Sequence, residues 1–246
     1  MKGFFIFLKN QIKLSIRDMN MPIFAIIMPL VIMAVLGIIY GEKTAFDGAG
    51  YTFMEQSFGA LCAISICAGG LMGLPMALAD LRERKVLKRL WVTPASPALL
   101  LGVELALYVF YCAASLVTLW VAAFIWKVKI RGSALTFFGS WLITMFSTLS
   151  VGMFVGGIAK NSKQASVIAS VLYFPMLVFS GVTLPMEVMP EFLRKIVGAF
   201  PLAQGITLMK SAFLGTAAEN IFLPIAVMTG ITIIFSVLSV RFFRWE

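Results

Sequence analysis

Residues 79–97 read A-D-L-R-E-R-K-V-L-K-R-L-W-V-T-P-A-S-P, a basic segment that separates two long apolar runs. Five of the eight residues from Arg82 to Arg89 are positively charged, and leucines recur between them. Each flanking run is long enough to span a bilayer, since a membrane-spanning helix needs about 20 apolar residues. We therefore predict that residues 80–97 form a helix and turn between two spans, exposed to the cytoplasm and to a partner there.

The composition of the whole chain agrees with a membrane location. Of its 246 residues, 61% are hydrophobic and 13% are charged, whereas soluble domains are near half apolar and a quarter charged. The net charge of +9 comes from basic residues at the ends of apolar runs, which is typical of cytoplasmic loops. The sequence therefore predicts an all-α integral membrane protein, a single transmembrane domain over 1–246 that contacts lipid and no nucleic acid.

Apolar runs with the length of a membrane-spanning helix occur six times. They are residues 22–40, 53–79, 98–126, 135–159, 166–184 and 221–240.

The residues before the first run predict an amphipathic helix over 3–18. Lys9, Lys13 and Arg17 recur every four residues on one face, opposite an apolar stripe that begins at Phe4. A helix with this pattern lies in the headgroup region of the membrane.

Six spans put both termini on the same side of the membrane, and the basic residues indicate which side. With the termini inside, 13 basic residues are cytoplasmic and seven are external, so the positive-inside rule predicts cytoplasmic termini. One cluster opposes this assignment, because Lys127, Lys129 and Arg131 would then lie outside.

An external stretch over 185–219 is apolar but contains no uninterrupted run that could cross a bilayer. Prolines and charges divide it, so the sequence predicts two short helices, about 187–199 and 202–214, that form a re-entrant pair in the outer leaflet between the last two spans.

Small residues at four-residue spacing allow helices to approach closely in lipid. Gly69 and Gly73 in the second span, and Gly152 and Gly156 in the fourth, are predicted to be such packing positions.

Residues that could carry catalysis or bind a cofactor or metal are scarce. The chain contains no histidine, and its three cysteines lie in apolar runs without companion ligands. The nearest approach to a P-loop, Gly152 to Gly157, has Ile158 where the motif needs lysine. We predict no catalytic, cofactor-binding or metal site in this chain.

Ionisable residues within the predicted spans are also few. Away from the span ends, Glu104 is the single candidate, whereas proton-coupled carriers hold such groups at midmembrane, because a charge there is costly and is kept for function. A transporter with this sequence would therefore receive its energy from another chain.

The basic segment resembles the first cytoplasmic loop of type-2 ABC transporter permeases. That loop has an acidic-basic pair, two leucines three residues apart and a Thr-Pro-x-Ser turn, matched here by Glu83, Arg84, Leu87, Leu90, Thr93, Pro94 and Ser96. Lys85 departs from the pattern, since many members have glycine there. A second stretch is also similar to the family, from the end of the fifth span into the external helices, through Ser180, Gly181, Pro185, Pro190 and Pro201.

The resemblance implies a non-catalytic permease in a prokaryotic plasma membrane that exports a drug-like, antimicrobial or lipid-like amphiphile. It implies a second permease chain, with a homodimer favoured, and two copies of a cytoplasmic ATPase that bind ATP and Mg. The implied contacts with the ATPase are Lys9, Lys13, Arg82, Glu83, Arg84, Leu87, Lys88, Leu90 and Trp91. The implied pathway or external gate comprises Tyr173, Phe174, Leu177, Pro185 and Glu187.

Three alternatives remain at this point. Polysaccharide or glycolipid exporters share the fold and often line their pathway with aromatic rings. An ion-coupled secondary carrier would need no ATPase, and a membrane enzyme would need a site such as the carboxylates Glu187 and Glu191.

Overall fold

The computed structural model describes residues 2–46, 48–86, 97–179, 190–192, 197–198, 200–216 and 221–243, and in this part of the chain the regular structure is helical. The helices are α1 (Lys2–Asp18), α2 (Ile23–Tyr40), α3 (Phe53–Glu83), α4 (Pro97–Ile125), α5 (Ala134–Ile158), α6 (Ser162–Phe179), α7 (Pro201–Leu214) and α8 (Phe222–Arg241).

Five of these helices, α2, α3, α4, α5 and α8, are long and apolar enough to cross a membrane. Each coincides with a predicted span to within a few residues, because uninterrupted hydrophobic length is a direct signal for a spanning helix. The remaining predicted span, 166–184, overlaps α6, and its last residues lie outside the described part. The chain is therefore a multi-pass membrane protein, and a sixth span stays a prediction.

Helices α3 and α5 form the centre of the bundle, where most of their side chains are buried. Gly152 of α5 lies directly against the carbonyl oxygen of Gly70 in α3. One turn further on, a side chain at Gly156 would come within 3.0 Å of Leu78 Cβ. The α5 glycines thus allow the two backbones to touch, which is how small residues strengthen helix packing in lipid.

The predicted glycines of α3 are used differently. Gly73 lies against Met21 and Tyr108, while Gly69 has only an ordinary contact, 3.5 Å from an added Cβ to Tyr108. The glycine that faces α5 is Gly70, one residue from the predicted position. Spacing alone does not specify which face of a helix meets which neighbour, since 3.6 residues make a turn.

Prolines in α2 and α3 are each preceded by a π-helical turn. Pro29 has no N–H, so the carbonyl oxygen of Ala25 loses its usual helical partner. The Ser65 hydroxyl of α3 donates to that oxygen at 2.8 Å. A neighbouring helix thus satisfies a backbone group that would otherwise be costly in lipid.

Helix α7 matches the predicted external helix 202–214 and packs against α3 and α5. Side chains at Gly59 and Gly205 would meet Met209 and Thr144, respectively, so α7 lies in close contact with both central helices. Its end is held by the Phe213 carbonyl oxygen, which accepts from the backbone N–H of Arg131 at 3.0 Å. The other predicted external helix, 187–199, lies mostly outside the described residues, and re-entry stays a prediction.

Helix α1 packs along the first part of α4. Gln11 Nε2 donates to Glu104 Oε1 at 2.5 Å, and Leu8 and Ile12 contact the cluster around Tyr111. Leu8 and Ile12, which belong to the apolar stripe that the sequence assigns to the headgroup region, therefore pack against other helices of the chain.

Candidate functional site

The basic segment begins at what we call the Arg82 end of the bundle, where α3, α5 and α8 terminate and α6 begins. Helix α3 continues to Glu83, four residues beyond the end of the predicted span at Ala79. The helix does not continue past this point because Lys85, two residues further on, has a left-handed φ of 58°. This conformation commonly follows the end of a helix. Residues 80–83 are thus the last turn of α3 rather than the start of a separate helix.

Arg82 is predicted to face a partner, but the structure places its side chain inside the chain. It is 6% exposed, and its guanidinium donates to the carbonyl oxygens of Gly156 at 3.1 Å and Gly157 at 3.0 Å, and to that of Ala159. These carbonyls end α5, where helical partners run out and a positive charge is favoured. The Phe243 ring lies 5.6 Å from the guanidinium carbon.

Glu83 contacts the next helix in the chain. Its Oε2 accepts from the backbone N–H of Ser162, the first residue of α6, at 3.1 Å. A carboxylate at a helix N-terminus satisfies an unpaired N–H and interacts favourably with the helix dipole. Arg82 and Glu83 together hold both sides of the turn 159–161, and we call this pair the clamp.

The remaining predicted contacts for an ATPase fall into two groups. Arg84 is exposed and forms an ion pair with Asp80 at 2.8 Å, and Lys9 and Lys13 are exposed on α1. The other group lies outside the described residues and consists of Leu87, Lys88, Leu90 and Trp91.

The predicted pathway residues lie on α6 and in the stretch that follows it. Phe174 is 55% exposed, whereas Tyr173 and Leu177 are half-buried against the main core. Pro185 and Glu187 lie outside the described residues, so their place relative to the other three stays a prediction.

The opposite end of the bundle, the Glu55 end, contains a buried carboxylate that the sequence reasoning missed. Glu55 is 3% exposed. Its Oε2 accepts from the Thr52 N–H at 2.9 Å and from Arg131 Nε at 2.9 Å, while Thr52 Oγ1 accepts from the Glu55 N–H. This is a capping box, and its Thr-x-x-Glu pattern before an apolar run was a signal that could have located it.

Two residues of the basic cluster that opposed the predicted orientation are paired with carboxylates at this end. Arg131 pairs with Glu55, and Lys127 Nζ lies 3.6 Å from Glu42 Oε1. Two of the three cations therefore have an acidic partner at the same end. The positive-inside rule counts basic residues rather than net charge, so the cytoplasmic location of the termini stays a prediction.

Glu104, the ionisable group that the sequence analysis singled out within a span, is fully buried beneath α1. Its described contact is the amide of Gln11. The carboxyl group is therefore part of the α1–α4 contact.

Comparison with known proteins adds to this geometry. The model of the ABC-2 type transporter family matches residues 2–214. The chain belongs to the ABC-2 type transporter family. The match extends from α1 through α7 and therefore includes the clamp and the Glu55 end.

Individual relatives are similar over part of their length. Inner membrane transport permease YhhJ of Escherichia coli (strain K12) is 28% identical over 97 residues, which are 39% of this chain and 26% of YhhJ. Probable multidrug ABC transporter permease YbhS of the same organism is 27% identical over 158 residues, 63% of this chain and 42% of YbhS. Nodulation protein J of Rhizobium leguminosarum bv. viciae is 30% identical over 86 residues, 35% of this chain and 33% of that protein. The matched region spans about a quarter to less than half of these relatives.

Membership of this family gives a physical meaning to Lys85. Many members of the family that the basic segment resembles have glycine at this position, and the backbone of Lys85 is left-handed. Glycine adopts that conformation without steric cost. The departure in sequence thus leaves the turn after α3 intact, with a lysine side chain added.

Proposed function

We propose that this chain is the permease subunit of an ATP-driven exporter, whose energy enters through the segment that follows the clamp. The observation that carries this proposal is the length of α3 together with the charge at its end. An α-helix of 31 residues is about 46 Å long at ~1.5 Å per residue. The hydrocarbon core is about 30 Å thick, so α3 is roughly 15 Å longer than the core, and three of its last four residues, Asp80, Arg82 and Glu83, are charged.

This extension supports a docking role for residues 84–91. A segment rich in lysine and arginine, interrupted by leucine and tryptophan, can fill an apolar groove while its charges set the register against acidic residues. The partner is a cytoplasmic ATPase, present in two copies, that binds ATP and Mg. Contacts on this chain are Arg84, Leu87, Lys88, Leu90, Trp91 and, on α1, Lys9 and Lys13.

A second permease chain, most simply a second copy, completes the transport pathway in this proposal. Val167, Val171 and Phe174 are 59%, 67% and 55% exposed and recur along one face of α6. Apolar faces of this kind need lipid or a partner helix to cover them. We place the pathway beside this face, with Tyr173 and Leu177 next to it and both termini of each chain in the cytoplasm.

The substrate that fits best is a drug-like, antimicrobial or lipid-like amphiphile. The name of YbhS, a probable multidrug ABC transporter permease, supports this substrate class. A chain rich in methionine and phenylalanine supports it too, because such side chains offer apolar surface that adapts to varied shapes. A polysaccharide or glycolipid exporter is the second candidate, favoured by the exposed ring of Phe174.

The docking role predicts that charge reversal at Arg84 and Lys88 releases the ATPase. The double variant Arg84→Glu and Lys88→Glu, purified by affinity from membranes, should lose a co-purifying subunit that has a Walker A sequence, because like charges across an interface repel. Mass spectrometry of the eluate provides the measurement.

The control is Lys127→Glu, an exposed lysine at the Glu55 end, which should retain the ATPase. Equal recovery of the ATPase with both variants would contradict docking on this segment.

A further inference from the structure

The clamp lies between the proposed docking segment and two helices of the bundle. We propose that Arg82 and Glu83 are positioning residues that transmit movement of the docked segment to α5 and α6. This inference rests on the proposed function, since it assumes that an ATPase moves residues 84–91.

Arg82 attaches α3 firmly to α5. Its planar guanidinium directs several N–H groups in fixed directions, and here they reach three backbone carbonyls at the end of α5. A buried charge that loses its partners incurs a large desolvation cost. The last turn of α3 therefore cannot separate from the end of α5 at low cost, and the two ends move as one unit.

Glu83 extends the same unit to α6. Its carboxylate accepts from the Ser162 N–H, one residue along the chain from the arginine that holds α5. Ala79, Ala159 and Ala165 form a buried cluster directly behind these contacts. Such small side chains let α3, the turn 159–161 and α6 approach closely. Because the contact is close-packed, a small displacement of one of these segments moves the others.

In this arrangement, movement passes from the docking segment through the clamp to α6. The chain leaves the clamp at Lys85 and enters the docking segment, while the proposed pathway face on α6 begins at Val167, more than one turn from Ser162. A pull or tilt of the segment acts first on the last turn of α3, and the clamp transfers it to the start of α6. Contiguous hydrogen bonds between rigid helices are the kind of element that can carry such coupling.

The test uses two spin labels in the intact complex with its ATPase. One label is attached at Val86→Cys, on the segment side of the clamp, and the other at Lys163→Cys, an exposed position on the first turn of α6. The native cysteines Cys62, Cys67 and Cys112 are buried, so labelling favours the introduced sites. Electron paramagnetic resonance spectra are compared without nucleotide and after trapping with Mg-ATP and vanadate.

With the clamp unaltered, the spectra of both labels should change when the complex is trapped. In the Glu83→Ala or Arg82→Lys variant, the spectrum of the label at position 86 should still change, and that of the label at position 163 should not. Glu83→Gln should restore the response at Lys163, because its amide oxygen can still accept from Ser162. Glu83 is exposed, so this pair of variants keeps the test valid even if Arg82→Lys reduces the yield of folded protein.

Lys160→Ala, an exposed side chain in the same turn, serves as the control and should leave both responses intact. A Lys163 response that persists in Glu83→Ala and Arg82→Lys would overturn the inference, as would a Lys163 label that is silent with the clamp unaltered while Val86 responds. A Val86 label that is silent with the clamp unaltered would instead overturn the proposed docking, and the inference with it.

Discussion

Gly152→Ala is expected to destabilise the bundle by about 3 kcal/mol, at the upper end of the usual penalty for overpacking. The added methyl group would meet the carbonyl oxygen of Gly70, and Pro75 Cδ lies 3.4 Å away. A backbone carbonyl cannot rotate aside as a flexible side chain can, so α3 and α5 would have to separate. Thermal unfolding in detergent should show a drop on the order of 10 °C for a chain of this size.

The same substitution at Gly139 provides a matched control on the same helix. A Cβ there has nothing within 4 Å, and alanine is favoured over glycine in a helix by about 1 kcal/mol. Gly139→Ala should therefore leave the unfolding temperature unchanged or raise it slightly. If the two variants unfold at the same temperature, the contact between Gly152 and Gly70 does not exist as described.

Glu55→Ala is the second large effect that we expect, at about 3 kcal/mol. The substitution removes the acceptor for the N–H of Thr52, the N-cap residue of α3. It also removes the partner of Arg131, a residue in the loop before α5. Urea or thermal unfolding in detergent measures the loss. Arg131 is 43% exposed in its side chain, so water can hydrate it after the change and the penalty stays below that of a fully buried pair.

Glu42→Ala is the control for this second prediction. Glu42 also pairs with a basic residue at the Glu55 end, but its side chain is 78% exposed, and exposed ion pairs contribute little. Its unfolding should match that of the unaltered protein. Combining Glu55→Ala with Arg131→Ala should cost little more than Glu55→Ala alone, because the two changes remove one interaction. Additive losses would show that the two side chains stabilise the fold independently.

The sequence predicts the helices well because long apolar runs have few alternatives in a membrane. Five predicted spans agree with α2, α3, α4, α5 and α8, and even the short helix α7 lies within one residue of its predicted start. At Ala79 the structure differs in one respect, since α3 continues without a break to Glu83, whereas the sequence predicts a separate helix and turn over 80–97. Charge marks where lipid ends, whereas the helix ends where the backbone turns at Lys85.

The clamp could not be predicted for a different reason. The carbonyl partners of Arg82 are 74, 75 and 77 residues away in sequence, and a backbone acceptor leaves no trace in residue types. Nothing near Arg82 in the sequence distinguishes it from the exposed Arg84, so the sequence predicts a partner contact for both. By contrast, the box at Thr52 and Glu55 is local, and its pattern was readable from four residues.

The most direct test of the central claim is transport by the purified complex of permease and ATPase in proteoliposomes, followed with a panel of fluorescent amphiphilic dyes. Dye should accumulate in the vesicles when Mg-ATP is supplied outside, and neither ADP nor an imposed proton gradient should support accumulation. Accumulation driven by a proton gradient with the permease alone would contradict the central claim, because this chain would then be an ion-coupled carrier and would need no ATPase.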